Sequence, residues 1–121
     1  MELSLFLGLL VKHAFCDIAL QRHIKRPNKQ IYSSKKAQLH YIQHGVATFL
    51  VCLFFVGPLT ALIAGALDWF AHWHIDHVKA RINQKFNWNS THNQFWYMVT
   101  IDQMLHFLTY YIIIVLIYLF P

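Results

Sequence analysis

Four pairs of side chains able to bind protons or metal ions stand at the same spacing in this sequence: His13 and Asp17, His40 and His44, His72 and Asp76, Asp102 and His106. A separation of four puts both members of a pair on one face of a helix, one turn apart. Brought together, five imidazoles and three carboxylates are a metal site before they are anything else. Neutral imidazole and carboxylate suit divalent zinc, manganese or iron, and the core of a helical bundle is a usual place for such an ion. Eight donors exceed the four that one zinc takes. Either two metal ions bind, or one binds and the remaining members orient its histidines. For a single His–Asp pair, mutual hydrogen bonding would be the simpler account. Four matched pairs on four helices favour a metal, because withdrawing so many polar groups from water needs a strong compensating interaction.

The elements that position these residues follow from composition. Of the 121 residues 57% are hydrophobic and only 12% charged, against roughly a quarter charged in a soluble domain. A soluble surface and intrinsic disorder are both excluded. The two cysteines, Cys16 and Cys52, lie in apolar runs and exclude a disulfide scaffold. The expected architecture is a single transmembrane domain over 1–121, an all-α integral membrane four-helix bundle, antiparallel, with both termini on the non-cytoplasmic side. The predicted helices cover 3–21, 35–56, 58–84 and 92–120, each long enough to cross a hydrocarbon core about 30 Å thick. Ser33 and Ser34 can cap the second helix. Gly57-Pro58 divides the second from the third, since one helix over 35–84 would be about 75 Å long. Thr91 and Gln94 have capping-box spacing ahead of the fourth.

Register and orientation can also be read. His44 and His72 each lie 14 residues from Pro58, and His40 and Asp76 each lie 18. In a hairpin, equal distances from the turn mean equal heights. The same count on the other helices predicts two layers about 6 Å apart: Asp17, His40, Asp76 and Asp102 nearer the cytoplasm, His13, His44, His72 and His106 deeper. Arg22, Lys25, Arg26, Lys29, Lys35, Lys36, Lys79, Arg81 and Lys85 all fall on one side of the bundle. The positive-inside rule makes these the cytoplasmic loops of a multi-pass protein of the cytoplasmic (inner) membrane. Trp69, Trp73, Trp88, Trp96, Tyr97, Tyr32 and Tyr41 gather towards the same side as an interfacial belt. The net charge of +5 then reflects topology and attraction to anionic lipid, not nucleic acid.

The remaining polar residues leave alternatives open. Lys79 follows Asp76 by three and is either a binder of a substrate anion or a lysine snorkelling to the interface. Asp68, one turn from His72, is either a deep ligand or a helix–helix hydrogen-bonding group. His74 is about 200° round from His72 and is expected at an interface, with His77, His23 and His92 as polar boundary residues. Lys12 is expected to point about 100° away from His13. Gln21 and Gln103 could orient ligands or substrate, and Cys16 is expected to pack.

At these residues the sequence resembles a known family. The segments Lys12–Gln21 (KHAFCDIALQ), Leu39–Gly45 (LHYIQHG), His72–Lys79 (HWHIDHVK) and Ile101–His106 (IDQMLH) resemble the domain-of-unknown-function 3307 family, small membrane proteins of bacteria and phages. The resemblance spans nearly the whole chain. The family pattern places a histidine four before the aspartate of Asp-x-x-Lys, which selects His72 over His74; the extra His74 and His77 depart from it. The sequence is also similar in outline to membrane proteins described as metal-dependent hydrolases.

Together these readings lead to a membrane metal-dependent hydrolase with one or two divalent metal ions. Asp76, Asp17 or Asp102 would serve as general base where not ligating, and Lys79 would hold a substrate anion. A site in the cytoplasmic leaflet implies membrane lipid, a lipid-linked molecule or a membrane-near peptide as partner, and a homo-oligomer is compatible with so much lipid-facing surface. The alternatives are a di-iron lipid oxidase or hydroxylase, against which the cluster's lack of glutamate counts, and a non-enzymatic phage membrane effector or metal-binding protein. Transport ranks last, because 107–120, 45–57 and 3–11 offer almost no polar path outward. A bis-histidine haem would leave the aspartates unexplained.

Overall fold

The computed structural model describes residues 1–120. They form α1 (Glu2–Ala14), α2 (Lys35–Cys52), α3 (Pro58–Phe86) and α4 (Asn93–Leu119). Helix α1 continues without a break through a π-helical turn at Phe15–Leu20 and a 3-10 turn at Gln21–His23. Two of the helical stretches, Glu2–His23 and Asn93–Leu119, are long and apolar enough to cross a membrane.

Local chemistry sets most of the boundaries. The Ser34 hydroxyl accepts from Ala37 N–H and starts α2. Gly57 is extended before Pro58, as the residue preceding a proline must be, and Pro58 opens α3. Helix α2 stops at Cys52, short of the expected 56, because 53–56 make the turn itself. Asn87 closes α3 in a left-handed conformation, φ 54°. The expected capping box at α4 is absent: His92 is the cap residue and makes no side-chain cap. Asn89 Oδ1 instead accepts from both the N–H and the hydroxyl of Thr91, a local turn that withdraws the hydroxyl from the helix end.

Packing turns the usual distribution of polarity outside in. Leu3, Leu7, Val11, Phe15 and Ile18 form an exposed apolar stripe on one side of α1, while the fully enclosed residues include Lys12, His13, His40, His44, Thr48, Asp68, His72, Asp76, Asp102 and His106. The first set suits apolar surroundings, and the second is tolerated in the interior because its members meet one another. A separate apolar cluster, with Leu5, Leu9, Cys52, Ala61, Tyr110 and Ile113, fills the end away from the basic loops.

The contacts along α2 and α3 preserve the predicted register. Thr48 meets Asp68, His44 stacks on His72 and His40 approaches Asp76, the numbering rising along one helix as it falls along the next. Gly45 and Gly65 make this approach possible, since a Cβ on Gly65 would lie 2.7 Å from the Gly45 carbonyl oxygen. The loop between α1 and α2 is fastened to α3. Trp73 Nε1 donates to Tyr32 O, Tyr32 hydroxyl donates to His74 Nε2, and His77 Nδ1 donates to Lys29 O. His74 and His77 thus hold a loop in place. Tyr41 departs from the expected aromatic belt: it is 1% exposed, because α2 buries a broad stripe at Ala37, His40, Tyr41, His44, Gly45 and Thr48.

Candidate metal centre

All eight residues picked out by their spacing converge between the four helices. Asp17, from the π-helical turn, lies at the centre of one half. Its Oδ1 accepts from His44 Nε2 at 2.8 Å and lies 3.3 Å from His40 Nε2 and 3.7 Å from His72 Nε2, while Oδ2 is 3.1 Å from His13 Nε2. Asp76 anchors the other half. Its Oδ1 accepts from His106 Nε2 at 3.0 Å, and its Oδ2 lies 3.2 Å from His72 Nε2 and 3.6 Å from His40 Nε2. Asp102 lies 3.4 Å from His106 Nε2 and 3.3 Å from Lys79 Nζ. His44, His72 and His106 form a continuous stack, with centroids 3.6 and 3.9 Å apart.

The four histidines expected in the deeper layer, His13, His44, His72 and His106, pack ring to ring, and Asp17 and Asp76 reach across to them from the expected neighbouring layer. The reason is the tilt of every helical Cα–Cβ bond towards its own N-terminus. Where numbering runs up one helix and down its neighbour, side chains a turn apart lean towards each other and meet midway.

Two groups of donors lie close enough to share an ion: Asp17, His40, His44 and His72, and His72, Asp76 and His106, the donor atoms in each within 4.8 Å of one another. His40 and His72 give the sharpest test of fit. Both are fully buried, and neither ring nitrogen of either has a hydrogen-bond partner among the described residues, although each Nε2 stands between Asp17 and Asp76 at 3.2–3.7 Å. Unpaired buried nitrogens are costly. Four donors about 2.0–2.2 Å from one tetrahedral ion lie roughly 3.3–3.6 Å from one another, a spacing close to the one these nitrogens and carboxylates keep. The residues therefore fit a divalent metal ion.

Other members are already engaged. His44 Nδ1 accepts from Lys12 Nζ at 3.0 Å, which leaves the proton on Nε2 for Asp17. To ligate through Nε2, His44 must give up that proton and Lys12 must release Nδ1. His13 is held at both nitrogens: Tyr110 hydroxyl donates to Nδ1 at 2.7 Å and Nε2 donates to Gln103 Oε1 at 2.9 Å. It belongs to neither close group, and its geometry is that of a residue positioning Asp17.

Three participants escaped the sequence reading. Lys12, expected to point away, is 6% exposed; its Nζ lies 2.5 Å from Asp68 Oδ2, which also accepts from Thr48 Oγ1 at 2.6 Å. Asp68 is thereby the partner of a buried lysine. The signal was present in the spacing of Leu5, Leu9, Lys12 and Cys16, which all lie on the buried side of α1 or its π-helical turn. Lys29, by sequence a loop charge, has its Nζ 2.9 Å from Asp76 Oδ2 and donates to Gln21 Oε1. Tyr110, in an apolar run of α4, turns its hydroxyl inward to His13. Nothing local in the sequence marks the last two, because each acquires its role through long-range packing.

A cavity of about 580 Å³ opens beside the cluster, with Asp17, Asp76, Asp102 and His13 on its wall. Fold and site define an all-helical protein with helices suited to a membrane and a buried histidine–aspartate cluster able to hold a metal ion. The chain belongs to the family described as Protein of unknown function (DUF3307), which matches residues 5–120. No curated protein and no solved structure matches it.

Proposed function

We propose that the chain is a metal-dependent hydrolase of the cytoplasmic membrane. The carrying observation is the pair of buried imidazoles, His40 and His72, with unpartnered nitrogens set between Asp17 and Asp76 at ligand spacing. A bound zinc, manganese or iron ion would supply Lewis acidity and an acidified water. Asp17, His40, His44 and His72 would hold one ion, and His72, Asp76 and His106 offer the beginnings of a second site. The chain's own residues supply the rest. Asp102, steadied by Gln103 Nε2 at 3.0 Å and by Lys79, faces the cavity as the proton acceptor. His13 fixes Asp17 and is itself fixed by Tyr110. Lys79 and Lys29 place positive charge beside the reacting region.

The bundle is antiparallel and crosses the membrane four times, both termini on the non-cytoplasmic side and the basic loops in the cytoplasm. α2 and α3 fall below the apolarity of α1 and α4 because they carry inward-facing histidines and aspartates, while their outward residues, such as Leu39, Ile42, Val46, Leu50, Leu62 and Ile63, are as apolar as those of α1. The substrate is then a lipid, a lipid-linked molecule or a peptide at the membrane surface. Elemental analysis of the purified protein tests the reading. One or two equivalents of zinc or manganese are expected, lost in His72→Ala and kept in His74→Ala. A metal-free His72→Ala comparison is uninformative unless the parent holds metal, so a metal-free, normally folded parent refutes the proposal outright.

A further inference from the structure

The cavity beside the cluster is a slot between α1 and α4, two helices that pack loosely against each other. Its two ends differ in chemistry. Lys29, Lys79 and Gln21 stand at the end towards the basic loops, while Phe6, Leu10 and Phe107 line the other. Along α1, Phe6 to Gln21 covers about 20 Å. Ile18 and Phe107, one on each side of the lining, are 70% and 38% exposed, so the slot reaches the outer surface of the helices. A volume of 580 Å³ is in the range of small-molecule sites. The two lysines come from a loop and from α3, and both ammonium groups already reach inward to carboxylates, at 2.9 Å for Lys29 and 3.3 Å for Lys79.

We propose that this slot admits one membrane lipid from the side, its phosphate between Lys29 and Lys79 and one acyl chain along Leu10, Phe6 and Phe107. The inference rests on the metal reading: three carboxylates line the slot against two lysines, and a divalent ion on Asp17 and Asp76 turns the balance positive and frees Lys29 for an anion. The asymmetry selects the ligand. A soluble phosphate would use only the lysine end. A neutral lipid would use only the apolar end and leave the Lys29 ammonium, which the ion displaces from Asp76, without an anion. A phosphate-bearing lipid satisfies both ends, and its headgroup ester lies beside Asp102.

Native mass spectrometry of the zinc-loaded protein from maltoside detergent reads the prediction without requiring turnover. Phosphatidylglycerol is expected to be retained at one per chain. Diacylglycerol with the same chains, glycerol 3-phosphate and inorganic phosphate should each be about tenfold weaker or worse. Lys29→Gln and Lys79→Gln should each weaken retention by about fivefold or more, and Ala14→Trp, which fills the slot from α1, should abolish it. Equal retention of diacylglycerol, glycerol 3-phosphate binding as tightly as the lipid, or lysine variants indistinguishable from the parent would each overturn the proposal. Zinc is quantified on the same sample. Metal bound with no lipid retained sinks the lipid inference alone, and absence of metal sinks the hydrolase reading whatever the lipid result.

Discussion

Replacing Lys12 by methionine is the most demanding test of how this interior is held together. Lys12 Nζ makes an ion pair with Asp68 at 2.5 Å, donates to His44 Nδ1 at 3.0 Å and lies 4.6 Å from the centre of the Tyr110 ring, with the Lys12 and Asp68 side chains 5% and 1% exposed. Methionine fills nearly the same volume but leaves Asp68 with a single donor, Thr48. Removing one member of a buried ion pair costs about 3–5 kcal/mol, whereas replacing both by apolar groups costs little. Lys12→Met should therefore lower the melting temperature in detergent, followed by circular dichroism, by roughly 10–20 °C. The double variant Lys12→Met/Asp68→Leu should recover most of that loss. Thr48, relieved of Asp68, can donate to the His44 carbonyl one turn back. The double-mutant cycle should give a coupling of about 3 kcal/mol. A single variant within about 1 kcal/mol of the parent, or a double variant no more stable than Lys12→Met, would show that the pair is not what keeps these charges inside.

Two further expectations follow from the packing and the topology. Gly65→Ala would place a Cβ 2.7 Å from the Gly45 carbonyl oxygen and 3.1 Å from Phe49 Cβ, forcing α2 and α3 apart at a cost of about 1–3 kcal/mol, whereas Gly57→Ala, with nothing within 4 Å, should stay within about 0.5 kcal/mol of the parent by the same melting assay. Cys16 and Cys52 are buried, so background thiol labelling is low. Single cysteines at Asn28 or Ser90 should react with an impermeant maleimide only after inner-membrane vesicles are turned cytoplasmic side out, and labelling in intact spheroplasts would reverse the topology.

How much of this was legible beforehand depends on the range of the interaction. The i, i+4 pairs carry their message locally, because a helix fixes which residues share a face. The hairpin count to Pro58 carries the α2–α3 register, because a short turn leaves little freedom to slip. Pattern also gave Ser34 its capping role and Pro58 its place at the start of α3. Thr91 misled because a hydroxyl beside a helix end has more than one acceptor, and Asn89 is closer in sequence than the helix end it was expected to serve. The π-helical turn that carries Asp17 follows from no residue type, since the same six residues would make an ordinary α turn elsewhere.

Tertiary structure alone decided which charges end up inside. Lys12 and Asp68 are 56 positions apart, and Lys29 and Asp76 are separated by a loop and a whole helix. Their pairing exists only once the four helices have closed on one another. The sequence by itself determined that histidines and aspartates would face one another across apolar rods, since their i, i+4 spacing puts them on one face of each helix and buried polar groups need one another as partners. The order of contact within the cluster, the engagement of His13 and His44, and the slot beside them depend on side-chain tilt and on the looseness of the α1–α4 seam. Those are properties of the assembled packing, and no single stretch of sequence contains them.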